Sequence, residues 1–397
     1  MEGESTKQRK KTRIGTKKKE TTKTPNCVRK IRLKPNSEVL NILKRWFGCV
    51  RLTYNIALHA IKHQNFPKNM YRLRDKFVTA CNIPKRLQFL LETPKHVREG
   101  ALTDLIKAFQ INFDKGEKFE MKYRSKKDNQ SIIIPKAAIK LLKETGTLKM
   151  YPTYLKTALK CNIKDVAEID NDCRLVMDKL GHLYLHIPMF QEIASENQRG
   201  KQEAWASLDP GVRTFMTLYS PQGKVIKFGH NDNIRLLRLC KHLDKLISKI
   251  DKEKGRTKRR MKKAAQRLRF RIKNLVNDVH WKVINHLLLY FDNIVIPPFQ
   301  VKEMTKKTQR VLSKKTTRCM YNWCHFLFRK RLIEKAKLHN VKVFVRTEEY
   351  TSKTCTLCGH QNYVKGKKIV CCSKCCITVD RDIAGARNIF LKNVSMQ

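Results

Sequence analysis

Two Cys-x2-Cys pairs stand near the end of this sequence, Cys355 with Cys358 and Cys372 with Cys375. Thiolates at that spacing grip one Zn2+ from a tight knuckle, and two knuckles complete a tetrahedral S4 site. A site closed by four sulfurs holds its metal structurally, not catalytically. Gly359 follows the first pair, where a knuckle needs a permissive backbone. Cys371 and Cys376 crowd the second pair, but Cys372 and Cys375 keep the two-residue spacing. Carboxylates flank the knuckles. Glu348 and Glu349 precede them, and Asp380 and Asp382 follow, at the edge of a small-residue helix (Ala384, Gly385, Ala386). A further acid, Asp209, lies far upstream in Ser-Leu-Asp-Pro-Gly.

Each acid alone has an ordinary explanation. Asp209 before Pro210 suits a turn, Asp382 suits the N-cap of the last helix, and two glutamates after a strand suit solvent. Together they put carboxylates at strand and helix ends of one α/β domain. Clustered carboxylates raise one another's pKa unless cations neutralise them. Two divalent ions about 3.5–4 Å apart would do so and would activate water for in-line attack on a phosphodiester. Carboxylate and water ligands suit Mg2+.

The rest of the chain draws in phosphates. Its 397 residues include 86 Lys and Arg against 34 Asp and Glu, a formal charge of +52. Such a charge repels itself in a compact chain, and nucleic acid is the natural polyanion to neutralise it. No run of about 18 apolar residues could span a bilayer, and no apolar signal core follows the N-terminus. A membrane partner and secretion are therefore not expected. Fourteen cysteines without a secretory signal point to metal binding over disulfides. The ten outside the two pairs read mostly as small buried apolar groups.

The elements that position these groups follow from periodicity. Residues 1–26 form a polar basic arm without core-forming residues, read as disordered. A strand through Val28, Ile31 and Leu33 leads to a helix capped by Ser37, with Leu40, Leu43, Trp46, Val50, Tyr54, Leu58 and Ile61 on one stripe. Helices continue to about residue 115. Short strand-like runs follow over 118–200, among them KFEMKYRS, SIIIP and a hairpin turning at Leu180–Gly181. A β-barrel over 27–203 with a helical insertion at about 37–115 accounts for this half. From Ala204 the pattern is a three-strand meander with turns at Pro210–Gly211 and Gln222–Gly223. A helical hairpin follows, then a buried strand Ile294–Ile296 stopped by prolines. A basic helix over roughly Lys314–His339 and a strand over Val341–Val345 come next. The class is a multidomain α+β or α/β chain with a mixed sheet. From Arg256 to Lys273 the second helix of the hairpin carries Arg256, Lys258, Arg259, Arg260, Lys262, Lys263, Arg267, Arg269, Arg271 and Lys273 and no acid. Like charges without i,i+4 partners repel, which favours a phosphate-facing surface.

Leu-Asp-Pro-Gly at the head of the meander, YTSKTCTLCG and the DRDIAGARNI ending resemble TnpB-type proteins and, more closely, their eukaryotic and viral relatives called Fanzor. GCVRLTYNIAL and TPKHVREGALTDLIKAF extend the resemblance to the N-terminal half. It implies a transposon-encoded, RNA-guided DNA endonuclease related to type V CRISPR effectors. The implied fold is a wedge-like β-barrel with a helical recognition insertion, then an RNase H-like RuvC domain over 204–397 with a zinc ribbon at about 350–378. The implied cofactors are two Mg2+, one structural Zn2+ and an omega-type guide RNA, and the implied partner is double-stranded target DNA. No obligate protein partner is implied, and a nuclear location would follow in a eukaryotic or viral setting, a cytoplasmic or nucleoid one otherwise. By motif position, Asp209 matches the first RuvC aspartate and Asp382 the last, with Asp380 as support. The middle acid of most TnpB proteins falls on Pro297, which cannot bind metal. In Fanzor-like members a glutamate before YTSKTC substitutes. Motif position favours Glu348, whereas the parity of Val341–Val345 would put Glu349 on the strand's apolar side. Two other readings stay open: a nucleic-acid-binding protein that does not cut, and a DNA transposase.

Overall fold

The computed structural model describes residues 24–116, 119–142, 144–161, 169–193, 204–306, 312–363 and 368–394. The expected basic arm lies almost wholly outside them. The chain divides into two compact units. One runs to Met177 and adds Leu183–Gln191; the other holds Asp178–His182 and the chain from Glu192. Among the described residues no helix is long and apolar enough to cross a membrane.

The first unit opens with β1 (Cys27–Lys34) and the 27-residue α1 (Ser37–His63). Asn36, not Ser37, caps this helix: its side chain accepts from the Val39 N–H at 2.9 Å. The expected stripe is buried from Leu43 to Ile61, and Leu40 is half-buried. α2 (Met70–Phe77) and α3 (Lys95–Asp114) complete the helical part. Then come β2 (Gln130–Ile134), β3 (Ile139–Leu142), β4 (Thr147–Met150), β5 (Leu159–Cys161), β6 (Cys173–Met177) and β7 (Leu183–Met189). Their order is β2-β6-β7-β1-β5-β4-β3. Laid flat, seven strands span about 29 Å. The edge strands β2 and β3 are joined by residues 135–138 alone, whose reach is at most about 18 Å, so the sheet must curl. Among the described residues no ladder joins its edges, so it is a curled sheet where a closed barrel was expected. The expected strand KFEMKYRS is also absent over 119–125. There Arg124 exchanges both backbone bonds with the Asn55 side chain (2.8 and 3.1 Å), so helix α1 takes the partners a strand would need.

The second unit begins with the meander β8 (Trp205–Pro210), β9 (Met216–Tyr219) and β10 (Val225–Phe228). The helical hairpin α4 (Asp232–Lys252) and α5 (Gly255–Tyr290) follows, then β11 (Asn293–Ile296) and the short α6 (Val301–Met304). The expected basic helix is two, α7 (Lys314–Trp323) and α8 (His325–Leu338), because Cys324 takes a left-handed backbone (φ 51°) between them. β12 (Lys342–Val345), the cysteine-bearing hairpin β13 (Ile369–Cys371) and β14 (Thr378–Asp380), and α9 (Arg381–Val394) complete the unit. The five-stranded sheet has the order β10-β9-β8-β11-β12. Its meander pairs are antiparallel, and β8–β11 and β11–β12 are parallel.

This sheet is covered on both faces, and the alternation along β8 shows it. Ala206 and Leu208 enter the core with Leu218, Ile294, Ile296 and α5 residues Val283, Ile284 and Leu287. Trp205, Ser207 and Asp209 take the other face, which α9 covers: the Ser207 hydroxyl donates to Ala386 O at 2.7 Å, and Phe390 packs on Trp205 and Tyr219. Of the ten cysteines outside the knuckle pairs, only Cys49, Cys173, Cys240 and Cys319 are buried, fewer than composition suggested.

Candidate active site and zinc knuckle

Asp209 lies within β8, opposite Thr217 of β9, which in turn opposes Lys227 of β10. The three form one row on the face under α9. On the other side β8 and β11 run parallel with Ser207 beside Val295, so two residues onward Pro297 takes the place beside Asp209. The gap read from the sequence is thus a gap in this row. Gly211, next after Pro210, cannot carry a side chain, since a Cβ there would lie 2.5 Å from Thr214 O.

Asp382 sits in the first turn of α9, but it is not the cap. Asp380 takes that role, its Oδ1 accepting the Asp382 N–H at 3.0 Å. The other oxygen, Oδ2, accepts from Lys227 Nζ at 2.6 Å. Burial acts to raise the Asp380 pKa, but Lys227 and the backbone N–H groups of Asp382 and Ile383 prevail and hold it below the usual carboxylate range. The Asp382 carboxylate has Arg381 Nη2 3.4 Å from its Oδ1, and its charge acts on Asp209.

Glu348 and Glu349 do not lie on an extended strand. β12 stops at Val345, and the glutamates occupy the turn that follows. The turn is held from inside: Thr351 Oγ1 donates to Glu348 O at 2.8 Å, and Asn388 of α9 donates to both Thr351 O and Thr354 O at 2.8 Å. Glu348 is half-buried and Glu349 exposed. Strand parity does not place Glu349, because β12 ends at Val345 and both faces of the sheet are apolar. Val343 faces the α5 core, whereas Phe344 stacks on Trp205 at 5.5 Å, and the Phe344 side is the Asp209 side.

The electrostatics tie these acids together. Burial first, then the charges of Asp382 and Glu348, push the Asp209 pKa well above the carboxylate range, with Arg381 opposing. Burial alone raises Glu348 to about 7. Helix α9 approaches so closely that a Cβ on Gly385 would lie 2.8 Å from Asp209 Oδ2. Carboxylate oxygens in a poorly hydrated site suit a hard divalent cation such as Mg2+, which would offset the burial and repulsion that raise the Asp209 pKa. The three carboxylates stand wider apart than the cysteines described next.

The Sγ atoms of Cys355, Cys358, Cys372 and Cys375 all lie within 4.8 Å of one another, the one such group of ligand-type side chains among the described residues. Cys355–Cys375 and Cys358–Cys372 are each 3.6 Å apart. Tetrahedral Zn–S bonds of about 2.3 Å put sulfurs about 3.7 Å apart, so the cluster fits zinc. Backbone N–H groups of Cys375 and Lys374 lower the Cys372 thiol to about 6 against burial. Gly359, one past the first pair, has φ 73°; Cys376, one past the second, has φ 56°. The two knuckles therefore share one geometry, with Cys376 in the glycine position and Cys371 outside the ligand set.

On α5, nine of the ten basic residues from Arg256 to Lys273 are exposed, and Lys258 is half-buried. Ala265, Leu268 and Ile272 turn to α4 instead. Sequence reasoning missed Gly385, Lys227 and Arg381. The alternation of Ser207 and Asp209 with Ala206 and Leu208 is a local signal for the face, but no local signal points to Lys227 on an edge strand.

Three family models match this chain: a "Helix-turn-helix domain" over residues 28–65, a "Probable transposase" model of the IS605 OrfB type over 186–308, and a "Cas12f1-like, TNB domain" over 325–389. A protein named as a transposase in Paramecium bursaria Chlorella virus 1 is 27% identical over 385 residues, covering 93% of this chain and 87% of its own. A TnpB-like protein of Acanthamoeba polyphaga mimivirus is 25% identical over 400 residues, covering 91% and 72%. A Cas12f1–sgRNA–target DNA complex overlaps 91% of this chain and 98% of its own at 14% identity and a TM-score of 0.36.

Proposed function

This chain is a TnpB-type protein, and from that premise we propose that it is an RNA-guided, Mg2+-dependent DNA endonuclease of the Fanzor kind with an RNase H-like RuvC site. The observation that carries the reading is that Asp209, beneath Gly385 of α9, feels the charges of both Asp382 and Glu348, which come from two other elements. Asp209 and Asp382 are the candidate ligands for a divalent pair, and Glu348 substitutes for the acid missing at Pro297. Bound Mg2+ would lower the pKa of water and neutralise charge developing on the phosphate. Asp209, Asp382 and Glu348 would hold the ions that do so, Gly385 keeps α9 close against Asp209, and Arg381 offers a cation beside the reacting phosphodiester. The ten basic residues of α5 from Arg256 to Lys273 track nucleic-acid backbone. Pairing with an omega-type guide RNA selects the double-stranded target, while the first unit reads a short flanking motif.

The test is to purify the protein from cells with its RNA, sequence that RNA, and challenge the complex with a matched target in Mg2+. Cutting that follows the guide and disappears in Asp209→Ala, with guided binding retained, supports the reading; cutting retained in Asp209→Ala removes the site assignment. The transposase description of matching models and relatives supports a second reading, strand joining at a transposon end without guide RNA. Joined products in the absence of RNA would favour it.

A further inference from the structure

We propose that Lys227 and Asp380 form a positioning pair that presents Asp382, and that Asp380 itself takes no metal. The inference rests on the nuclease reading above and extends it to two residues outside the acid triad. Both Asp380 oxygens are already in use. Oδ1 accepts the Asp382 N–H at 3.0 Å, and Oδ2 accepts from Lys227 Nζ at 2.6 Å. The side chains are only 17% and 25% exposed, so the contact is shielded more than a surface pair would be.

Its place in the fold gives it leverage. Asp380 is the last residue of β14, whose ladder to β13 belongs to the zinc hairpin, and α9 starts at the next residue. The Arg381 N–H donates to Lys368 O at 2.8 Å, so this junction is shared by hairpin and helix. Lys227 reaches it from β10, on the same row of the sheet as Asp209. One ammonium therefore fixes the hairpin–helix junction relative to the strand layer that carries Asp209. Without it, a third carboxylate would stand beside Asp382 with no counter-charge, and the first turn of α9 would lose its tether to the sheet.

The pair acts through Asp382, so its signature lies in the metal dependence of the complex. The experiment uses the protein with its co-purified RNA and a matched DNA target, in the parent, Lys227→Met, Lys227→Arg and Asp380→Asn. Readouts are cutting rate across Mg2+ concentration, guided DNA binding, and the Tm shift produced by Mn2+ alone. Lys227→Met should raise the half-saturating Mg2+ about 10-fold to 100-fold and shrink the Mn2+-induced shift, with DNA binding unchanged. Lys227→Arg, which keeps the charge, should recover most of the loss. Asp380→Asn keeps the cap but loses the ion pair, so it should match Lys227→Met, and the double variant should be no worse than either single one. A purely structural role predicts instead lower Tm and lower cutting at saturating Mg2+ with unchanged half-saturation, which overturns the proposal. So does a Lys227→Met variant with the parent's Mg2+ dependence. A parent that neither cuts nor responds to Mn2+ brings down the nuclease reading itself, and the positioning role with it.

Discussion

Replacing Gly385 by alanine should separate cutting from folding. The added Cβ would lie 2.8 Å from Asp209 Oδ2 and 3.4 Å from its Cγ. Ordinary contact begins near 3.4 Å, so one partner must give by about 0.6 Å. The helix is pinned on either side of the residue. Ser207 holds Ala386 O at 2.7 Å, and Asn388 holds two carbonyls at 2.8 Å. The carboxylate is the softer partner and should be the group that moves. A displacement of about 1 Å at a reacting centre can cost about 100-fold in rate, so a loss of roughly 10- to 100-fold is expected. Overpacking costs about 1–3 kcal/mol, but alanine gains up to about 1 kcal/mol over glycine within a helix. Net destabilisation should stay under about 2 kcal/mol. Single-turnover cleavage, guided DNA binding and thermal melting on one preparation would decide. Slow cutting with parental binding and a small Tm change is the expected result. Full-rate cutting by Gly385→Ala, or binding lost in step with cutting, would refute the reasoning.

Three other outcomes follow from the same geometry. Elemental analysis should find zinc in the parent and its loss in Cys358→Ser, while Cys371→Ser retains it and Cys376→Gly, which relieves a positive φ, retains it with a raised Tm. His280 is fully buried, with Nε2 2.8 Å from Trp323 O and Nδ1 3.1 Å from Arg331 Nη1. Burial lowers its pKa to about 4, with the Trp323 carbonyl opposing and Arg331 adding. The unfolded chain therefore binds the extra proton, and stability present above about pH 6.5 should fall by about 3 kcal/mol as pH drops to 4. His325, lowered to about 3 by burial, adds to that slope, so urea midpoints of His280→Gln should show roughly half of it. On α5, neutralising the exposed Arg259, Lys263 and Arg267 should weaken duplex binding equally across sequences. The log–log salt slope should fall by about 0.9 for each phosphate that is no longer neutralised, and unchanged slopes would remove that face from the interface.

Much of this architecture was legible because it rests on periodicity and spacing. The stripe of α1, the helical hairpin, the buried strand before Pro297 and the paired cysteines all follow from one-dimensional patterns. What was illegible depends on partners distant in sequence. KFEMKYRS has strand composition, but Asn55 supplies the hydrogen bonds its backbone needs. Cys324 breaks a helix with no proline or glycine to announce it. Glu348 and Glu349 cannot be told apart by strand parity when both faces of the sheet are buried and the strand ends three residues earlier. Asp382 looks like a cap until Asp380 is seen in that role. Gly385 reads as one more small helical residue until Asp209 is found against it.

The central claim is that Asp209, Glu348 and Asp382 work as one set, with Glu348 in place of the acid missing at Pro297. The most direct measurement is single-turnover cleavage of a matched target by the RNA complex carrying Asp209→Asn, Glu348→Gln, Glu349→Gln or Asp382→Asn, with target binding measured alongside. The account predicts that Asp209→Asn, Glu348→Gln and Asp382→Asn bind but do not cut, while Glu349→Gln cuts like the parent. Parental cutting by Glu348→Gln, or a loss confined to Glu349→Gln, would contradict it.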